Sequence, residues 1–244
     1  MKLLIFDLVG KMAHFRKMDM NSSSMSYSFP PRTTIAGLLA GIIGLERDSY
    51  YELFSSDDCY IAVSVRSPFR KIVQTVNYML VKSEKDLNNS QGHTQIPIEF
   101  VLPAGNDQNL RYRIYFFHKD KQIYQLIKER IERKRYVYPP YLGLSELLGQ
   151  IDWVAEAEGQ WIETNEPIQI HTIARINELK ERTIQISGET QFFKEYMTRE
   201  FSKERTIQET DYYLFEKNHR LIAVPEKPYL EIQYHNVQEN VMFL

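Results

Sequence analysis

The sequence predicts an α+β fold in which strands outnumber helices. Three features carry this expectation. Residues 2–9 (KLLIFDLV) are an apolar run of strand length. Two segments repeat apolar residues at helical spacing, one entered through Pro30 and Pro31 and one over 121–135. Residues 160–244 read mostly as short β-segments. Hydrophobic residues make up 43% of the 244 and charged residues 25%, which excludes wholesale disorder and allows a sizeable core.

Each element follows from its residues. The run at 2–9 suits a buried strand at the start of a sheet. Residues 10–31 are polar, with a Ser-rich patch at 21–24, and read as a long loop. Two prolines hold the next entry extended, Thr33 or Thr34 can cap, and Ile35, Leu38, Leu39, Ile42 and Ile43 recur at helical spacing. Gly37, Ala40 and Gly41 would let that helix approach the sheet, and Gly44 is its stop. Residues 59–66 alternate as a strand, and 71–81 is a second. Residues 82–95 contain almost nothing apolar and form the exposed tip of a hairpin arm, with Asn88, Asn89, Gln91 and His93 on it. Strands at 98–102 and 111–117 flank a turn at 104–107. Residues 121–135 form a helix with Ile123, Leu126, Ile127 and Ile131 on one face and Lys128, Arg130 and Lys134 on the other. A strand at 151–157 closes the series.

That order of strand, helix, strands, helix and strand is the ferredoxin-like (RRM-like), split βαβ plan, which many RNA-binding modules share. It divides the chain into a domain over 1–157, with the arm inserted near 82–96, and a β-rich region over 158–244. In the latter, strands are expected at 168–176, 206–215, 221–224, 229–234 and 241–244, and one amphipathic helix at 191–201.

Composition narrows the setting. A single cysteine, Cys59, excludes an intrachain disulfide and a four-cysteine metal site and fits a cytoplasmic protein. Asp7 interrupts the first apolar run too early for a signal peptide. The most apolar stretch, 35–45, is far shorter than the ~20 residues that span a bilayer. The formal net charge is −2, yet residues 111–135 hold nine Lys or Arg against three acids, and 136–174 hold six acids and no Lys or Arg. Such separation creates a basic face that the total conceals, or simply a solvated helix beside an acidic loop.

Several constellations fit RNA. Arg32, Thr33 and Thr34 lie at a helix N-terminus, where free N–H groups and a guanidinium fork favour phosphate; ordinary capping is the plain alternative. His14, Phe15, Arg16 and Lys17 put an aromatic between cations, able to stack a base, unless Phe15 tucks into the core. Arg66, Arg70 and Lys71, with Arg111 and Arg113 on one strand parity, would form a basic stripe if their strands are neighbours. Tyr141 and Gly143 belong to a tight loop entering a short helix at 138–149. Gly143 allows close approach by a backbone or a ligand.

The case for an enzyme is thin. The chain has no P-loop, GxGxxG or HExxH motif, and no cofactor or metal is expected. Metal-free RNA cleavage needs a base and a proton donor. His118 and Lys119, with Tyr50 or Tyr51, supply the residue types, but neighbours on a strand point to opposite faces.

Taken together, these segments resemble the Cas five subunit of type I CRISPR surveillance complexes (Cascade), in the RAMP superfamily. The resemblance rests on SFPPRTTIAGLLAGIIGLERD at 28–48, TQIPIEFVLP at 94–103, RYRIYFF at 111–117 and YLGLSELLGQIDWV at 141–154, and its overall look is nearest to subtype I-B. It implies a ferredoxin-like fold with a projecting hairpin thumb and an RNA-binding subunit that holds the 5′ handle of the guide crRNA. It also implies joining to the backbone and large subunits beside a separate processing endonuclease, reaching target DNA through the complex in antiviral defence, with no membrane. One branch of the family cleaves precursor crRNA with tyrosine, lysine and histidine. This makes a metal-independent endoribonuclease the alternative, although here His118 precedes Lys119.

Overall fold

A computed structural model of the chain describes residues 1–18, 23–88, 91–188, 190–218 and 220–244; Asn89 and the first half of the Ser-rich patch, 21–22, lie outside them. The chain opens with β1 (Lys2–Gly10), followed by two short strands, β2 (Phe15–Arg16) and β3 (Ser26–Tyr27), inside the expected loop, and then α1 (Arg32–Ile43). Next come β4 (Cys59–Val65), β5 (Phe69–Met79), a 3₁₀ turn at Glu84–Asn88, β6 (His93–Pro103), β7 (Leu110–His118), α2 (Lys121–Glu132) and β8 (Gly149–Ile162). The remainder comprises β9 (Ile168–Ile170), β10 (Ala174–Arg175), β11 (Phe192–Phe201), β12 (Ile207–Glu216), β13 (Leu221–Ala223), β14 (Tyr229–Tyr234) and β15 (Val237–Val241).

The central sheet runs β15-β14-β8-β1-β7-β4, and every pair is antiparallel. β1 is apolar on both parities because both its faces are covered. Leu4, Phe6 and Leu8 join Ile35, Leu39, Tyr112 and Ile127 in the core shared with the helices, while Leu3 and Ile5 meet Tyr115, Leu230 and Ile232 on the other face. β8 pairs with β1 through its first ten residues and with β14 from Gly159 to Ile162. The division expected at 157/158 therefore falls within one strand, and β14 and β15 extend the sheet that β1 begins. β5 and β6 pair from Phe69↔Pro103 to Met79↔His93, which makes the arm a long two-stranded ribbon. Asn88, Gln91 and His93 are exposed near its tip.

Several elements differ from expectation. Neither Thr33 nor Thr34 caps α1. The helix starts at Arg32 with Pro31 in the cap position, and the carbonyl of Pro31 accepts the N–H groups of Thr34 and Ile35 at 2.9 and 3.1 Å. The expected helix at 191–201 is β11. Phe193, Met197 and Phe201 fit a helical period, but pairing with β12 wins: Glu195 and Met197 turn inward, Lys194 and Tyr196 outward, and Phe193 stacks on Phe215 at 5.1 Å. Tertiary partners 20 residues away override the local pattern. No helix follows Gly143; residues 141–148 form a turn closed by a Tyr141–Leu148 bridge. The strand expected at 168–176 is split into β9 and β10, and the last strand ends where 241–244 was expected to begin. Among the described residues, no helix is long and apolar enough to cross a membrane.

Candidate nucleic-acid interface

The outward side of α1 forms the floor of a cleft of about 900 Å³. Gly37 and Gly41 lie one turn apart on that side, so the floor is low. A Cβ at Gly37 would come within 2.9 Å of the Tyr50 hydroxyl, and one at Gly41 within 3.8 Å of the Cβ of Tyr138. Gly37 therefore makes room for Tyr50, whereas Gly41 leaves an ordinary contact distance to Tyr138. Ala36, Ala40 and Leu39 are buried.

Four loops raise the walls: Phe15, Arg16 and Met18 on one side, Arg47, Tyr50 and Tyr51 beyond the end of α1, Tyr138, Tyr141 and Gly143 opposite, and Phe201 with Arg205 from the β11–β12 turn. Tyr138 is 57% exposed and Tyr141 44%. Tyr50 and Tyr51 lie 4.8 Å apart, and Tyr51 meets Phe201 edge-on at 5.7 Å. Asp48 ties this corner together. It accepts the Tyr51 hydroxyl and faces Arg47 at 3.3 Å and Arg205 at 3.8 Å. The Tyr51 hydrogen bond, helped by the two arginines, holds its carboxyl below the ordinary range, and burial pushes the Tyr50 phenol up. Arg16 is exposed and makes no ion pair among the described residues.

Of the expected site residues, this cleft gathers Phe15, Arg16, Thr33, Thr34, Tyr141 and Gly143, with Tyr50. Gly143 is there for a backbone reason. Its φ is +95°, and a Cβ would fall 1.9 Å from the carbonyl oxygen of His14. The close approach is thus a packed corner, fastened by the His14 N–H to the Leu142 carbonyl at 3.0 Å.

Other expected residues are not available to a ligand. Arg32 is 4% exposed; its guanidinium donates to the carbonyls of Phe54 and Cys59 at 2.8 and 2.9 Å and faces Glu200 at 3.7 Å, so it is an internal clamp and not a phosphate fork. Phe15 is buried edge-on against Tyr112 at 5.6 Å, so it offers no stacking face outward. His14 is buried. Its Nδ1 donates to the Glu99 carbonyl at 2.7 Å and its Nε2 accepts from Ser24 at 2.9 Å. Lys17 pairs with Glu195 at 2.6 Å, and Lys71 with Glu99 at 3.3 Å.

The basic stripe exists as geometry but is neutralised. Arg111 and Arg113 project from the sheet face opposite the helices, where Asp7 receives both at 2.9 and 2.8 Å. Arg113 also donates to Tyr234 at 2.9 Å, and Arg66 binds Glu239 and the Tyr115 hydroxyl. Only Arg70, on β5, is exposed among these.

The alternative catalytic residues do not converge. His118 is buried, donates from Nε2 to the Leu53 carbonyl at 2.7 Å and accepts the Asp120 N–H at Nδ1 at 3.0 Å. Both ring nitrogens are occupied. Lys119 is exposed beside Asp58 at 3.6 Å, and Tyr50 lines the cleft. No hydrogen bond joins His118 to Tyr50 or Lys119 among the described residues.

Sequence reasoning missed Arg47, Tyr138, Phe201 and Arg205 as wall residues. Two tyrosines bracketing Pro139 and Pro140 were a usable signal, since the prolines hold both rings on an extended segment. Phe201 and Arg205 carried none, because a strand pairing delivers them.

Solved structures share this fold at low identity. A CRISPR protein from Archaeoglobus fulgidus superposes with a TM-score of 0.61 and 13% identity, covering 98% of this chain and 99% of that one. A chain of a CRISPR RNA-guided surveillance complex gives 0.52 and 12%, covering 91% of each. A chain of a type III-B Cmr-beta complex bound to cognate target RNA and AMPPnP gives 0.50 and 12%, covering 93% of this chain and 86% of that one. At such identities the likeness is one of fold. No curated protein matches the sequence significantly. The family model described as CRISPR-associated protein (Cas_Cas5) matches residues 3–210, and a match over that much of the chain places it in the CRISPR-associated Cas5 family.

Proposed function

We propose that the chain is an RNA-binding, non-enzymatic subunit of a type I, subtype I-B, Cascade surveillance complex, and that it holds the 5′ handle of the guide crRNA in the α1 cleft. The observation that carries this reading is the composition of the cleft. Exposed tyrosines stand beside Arg16, Arg47 and Arg205 over a glycine floor. Single-stranded RNA is bound by stacking platforms and phosphate forks, each stacked base contributing about 1–3 kcal/mol. The likeness in fold to a chain of an RNA-guided surveillance complex supports the same assembly.

Two further parts of the reading have their own support. The order β8-β1-β7-β4 with α1 and α2 as crossovers fits a ferredoxin-like N-terminal domain. The β5–β6 ribbon fits a thumb that meets the backbone subunit. It exposes Val73 and Met79, and a two-stranded ribbon is marginal alone, so a partner surface would stabilise it. The non-enzymatic part rests on His118, whose nitrogens both have partners.

The test is fluorescence anisotropy of the purified chain with a short RNA carrying the handle. Tyr141→Ala is expected to weaken binding by roughly five-fold or more, as loss of one stacked base implies. Equal affinity of parent and variant would remove the cleft from the reading. A repeat RNA incubated with the chain in EDTA is expected to remain uncut, and His118→Ala to leave guide maturation normal. Cleavage by the parent chain that the variant loses would promote the endoribonuclease alternative.

A further inference from the structure

We infer that the connector leaving α2, residues 133–139, is a second RNA contact that carries the strand onward from the cleft. This rests on the RNA-binding reading above and extends it past the cleft wall to Lys134 and Arg135, which do not line the cleft. The connector is held rigidly. The Val137 and Tyr138 N–H groups donate to the carbonyls of Ile42 and Gly41 at 3.1 and 3.2 Å, which lays it along the last turn of α1. Its side chains nevertheless point to solvent: Arg133, Lys134, Arg135, Val137 and Tyr138 are all exposed. Tyr138 is shared with the cleft wall, so the two surfaces are continuous.

Two of the connector's three cations are unused. Lys128, one turn earlier, is taken by Glu156 at 2.9 Å, and Arg133 meets only the exposed Glu129 at 2.8 Å. Lys134 and Arg135 make no ion pair among the described residues. Lys134 also sits where a side chain is unfavourable. The Arg135 N–H reaches the Arg130 carbonyl at 2.9 Å and the Lys134 N–H reaches that of Ile131 at 3.1 Å, the helix-ending motif whose left-handed residue is usually glycine. Lys134 occupies that position at φ +51°, whereas α1 ends on Gly44 at +83°. The lysine side chain strains the turn and finds no acid.

Pinned backbone, unpaired cations and an exposed ring match a single strand, with phosphates on Lys134 and Arg135 and a base on Tyr138. A duplex hides the faces of its bases, and an acidic protein surface has no use for the ring. Single-stranded RNA is therefore the favoured ligand.

The experiment compares a short RNA that fills the cleft with a longer one containing it, at several salt concentrations, using the full chain. The parent is expected to bind the longer RNA more tightly. Lys134→Glu combined with Arg135→Glu should bring the longer RNA down to the affinity of the short one. It should reduce the salt slope by about 1.4, as loss of two single-strand phosphate contacts requires, and leave the short RNA unchanged. Lys134→Gly should show about half that change in slope with no fall in Tm, which separates binding from folding. If the parent binds both RNAs and the charge-reversed variant matches it on the longer one, the connector is not a contact and the cleft reading survives. If the parent binds neither RNA, both readings fall. Tighter binding of duplex DNA, lost in the same variant, would reassign the connector to a duplex and overturn the inference.

Discussion

Arg113 and Lys134 belong to the same basic stretch of sequence, yet they occupy opposite electrostatic worlds. Arg113 lies on β7 between β1 and β4; β1 brings Asp7 to it and β14 brings the Tyr234 hydroxyl. Burial opposes its charge, but the buried Asp7 prevails, and its pKa lies above the ordinary arginine value. Lys134 lies past the end of a helix, where no neighbouring strand supplies an acid. A run of charge along the chain therefore does not specify a basic surface. What specifies it is whether the element is flanked by others that carry the opposite charge. On this molecule the face of the sheet away from the helices is closed and neutral, and the side bearing α1 and the end of α2 is open and cationic.

Breaking the closed set should have the largest effect. Arg32→Ala removes a buried cation whose fork satisfies two buried carbonyls and faces Glu200. Loss of one partner from such a set costs about 3–5 kcal/mol. Denaturant unfolding is expected to show that loss, whereas Arg70→Ala, at an exposed position, should stay within about 0.5 kcal/mol of the parent. Comparable midpoints for the two variants would mean that Arg32 is not clamped. Gly143→Ala should come next, at roughly 1–3 kcal/mol for the strained backbone alone, because its methyl would meet the His14 carbonyl. A melting temperature equal to the parent's would disprove that corner.

The comparison sharpens with pH. Burial, outweighing the hydrogen bond to the Glu99 carbonyl, pushes the pKa of His14 below its ordinary value, and burial does the same to His171. Below about pH 6.5 the unfolded chain then binds more protons than the folded one, so stability falls as the pH drops through that value. Glu156 behaves as a carboxylate partner. Burial raises it, but hydrogen bonds from Lys2, Lys128 and Tyr124 prevail and hold it at about 2. Its stabilisation is complete above the ordinary carboxylate pKa of about 4.3 and is lost as the pH falls toward 2. Replacing His14 and His171 by Asn should flatten the first decline and leave the second. An unchanged profile between pH 7 and 5, both approximate limits set by the imidazole range, would deny the histidines that role.

Much of the fold could be read from local pattern. The strand at 2–9, the helix ending at Gly44, the arm and the second helix all carry their own periodicity or stop signals, and each formed within a few residues of expectation. The clearest failure has a non-local cause. β11 has a helical spacing of apolar residues, but its partner β12 lies beyond a turn, and cross-strand stacking decided the outcome. The site was only half legible for the same reason. Tyr141, Arg16, Thr33 and Thr34 reach the cleft. Arg32 has the residue type and the helix-entry position of a phosphate ligand, yet its exposure depends on Phe54, Cys59 and Glu200, which sequence proximity does not reveal. The arginines of β7 had the expected parity, and acids on other strands cancelled them.

The smallest effects belong to the two glycines of α1, and at Gly41 the sign is opposite to what the sequence suggests. A glycine between buried apolar residues on a helix invites the reading that it packs on the sheet, so that any side chain would overpack the core. The structure turns Gly41 to the open side, where an added Cβ meets only the Cβ of Tyr138 at 3.8 Å, an ordinary contact distance. Nothing is displaced, and the helix interior gains from losing glycine's excess freedom in the unfolded chain. Gly41→Ala is therefore expected to stabilise the fold by about 0.5–1 kcal/mol. For a chain of this size that is a rise in Tm of roughly 1–4 °C. Gly37→Ala should gain less, because its methyl pushes on the Tyr50 hydroxyl at 2.9 Å. A fall in Tm for Gly41→Ala would place that face of α1 against packed atoms and close the cleft on which the functional reading depends.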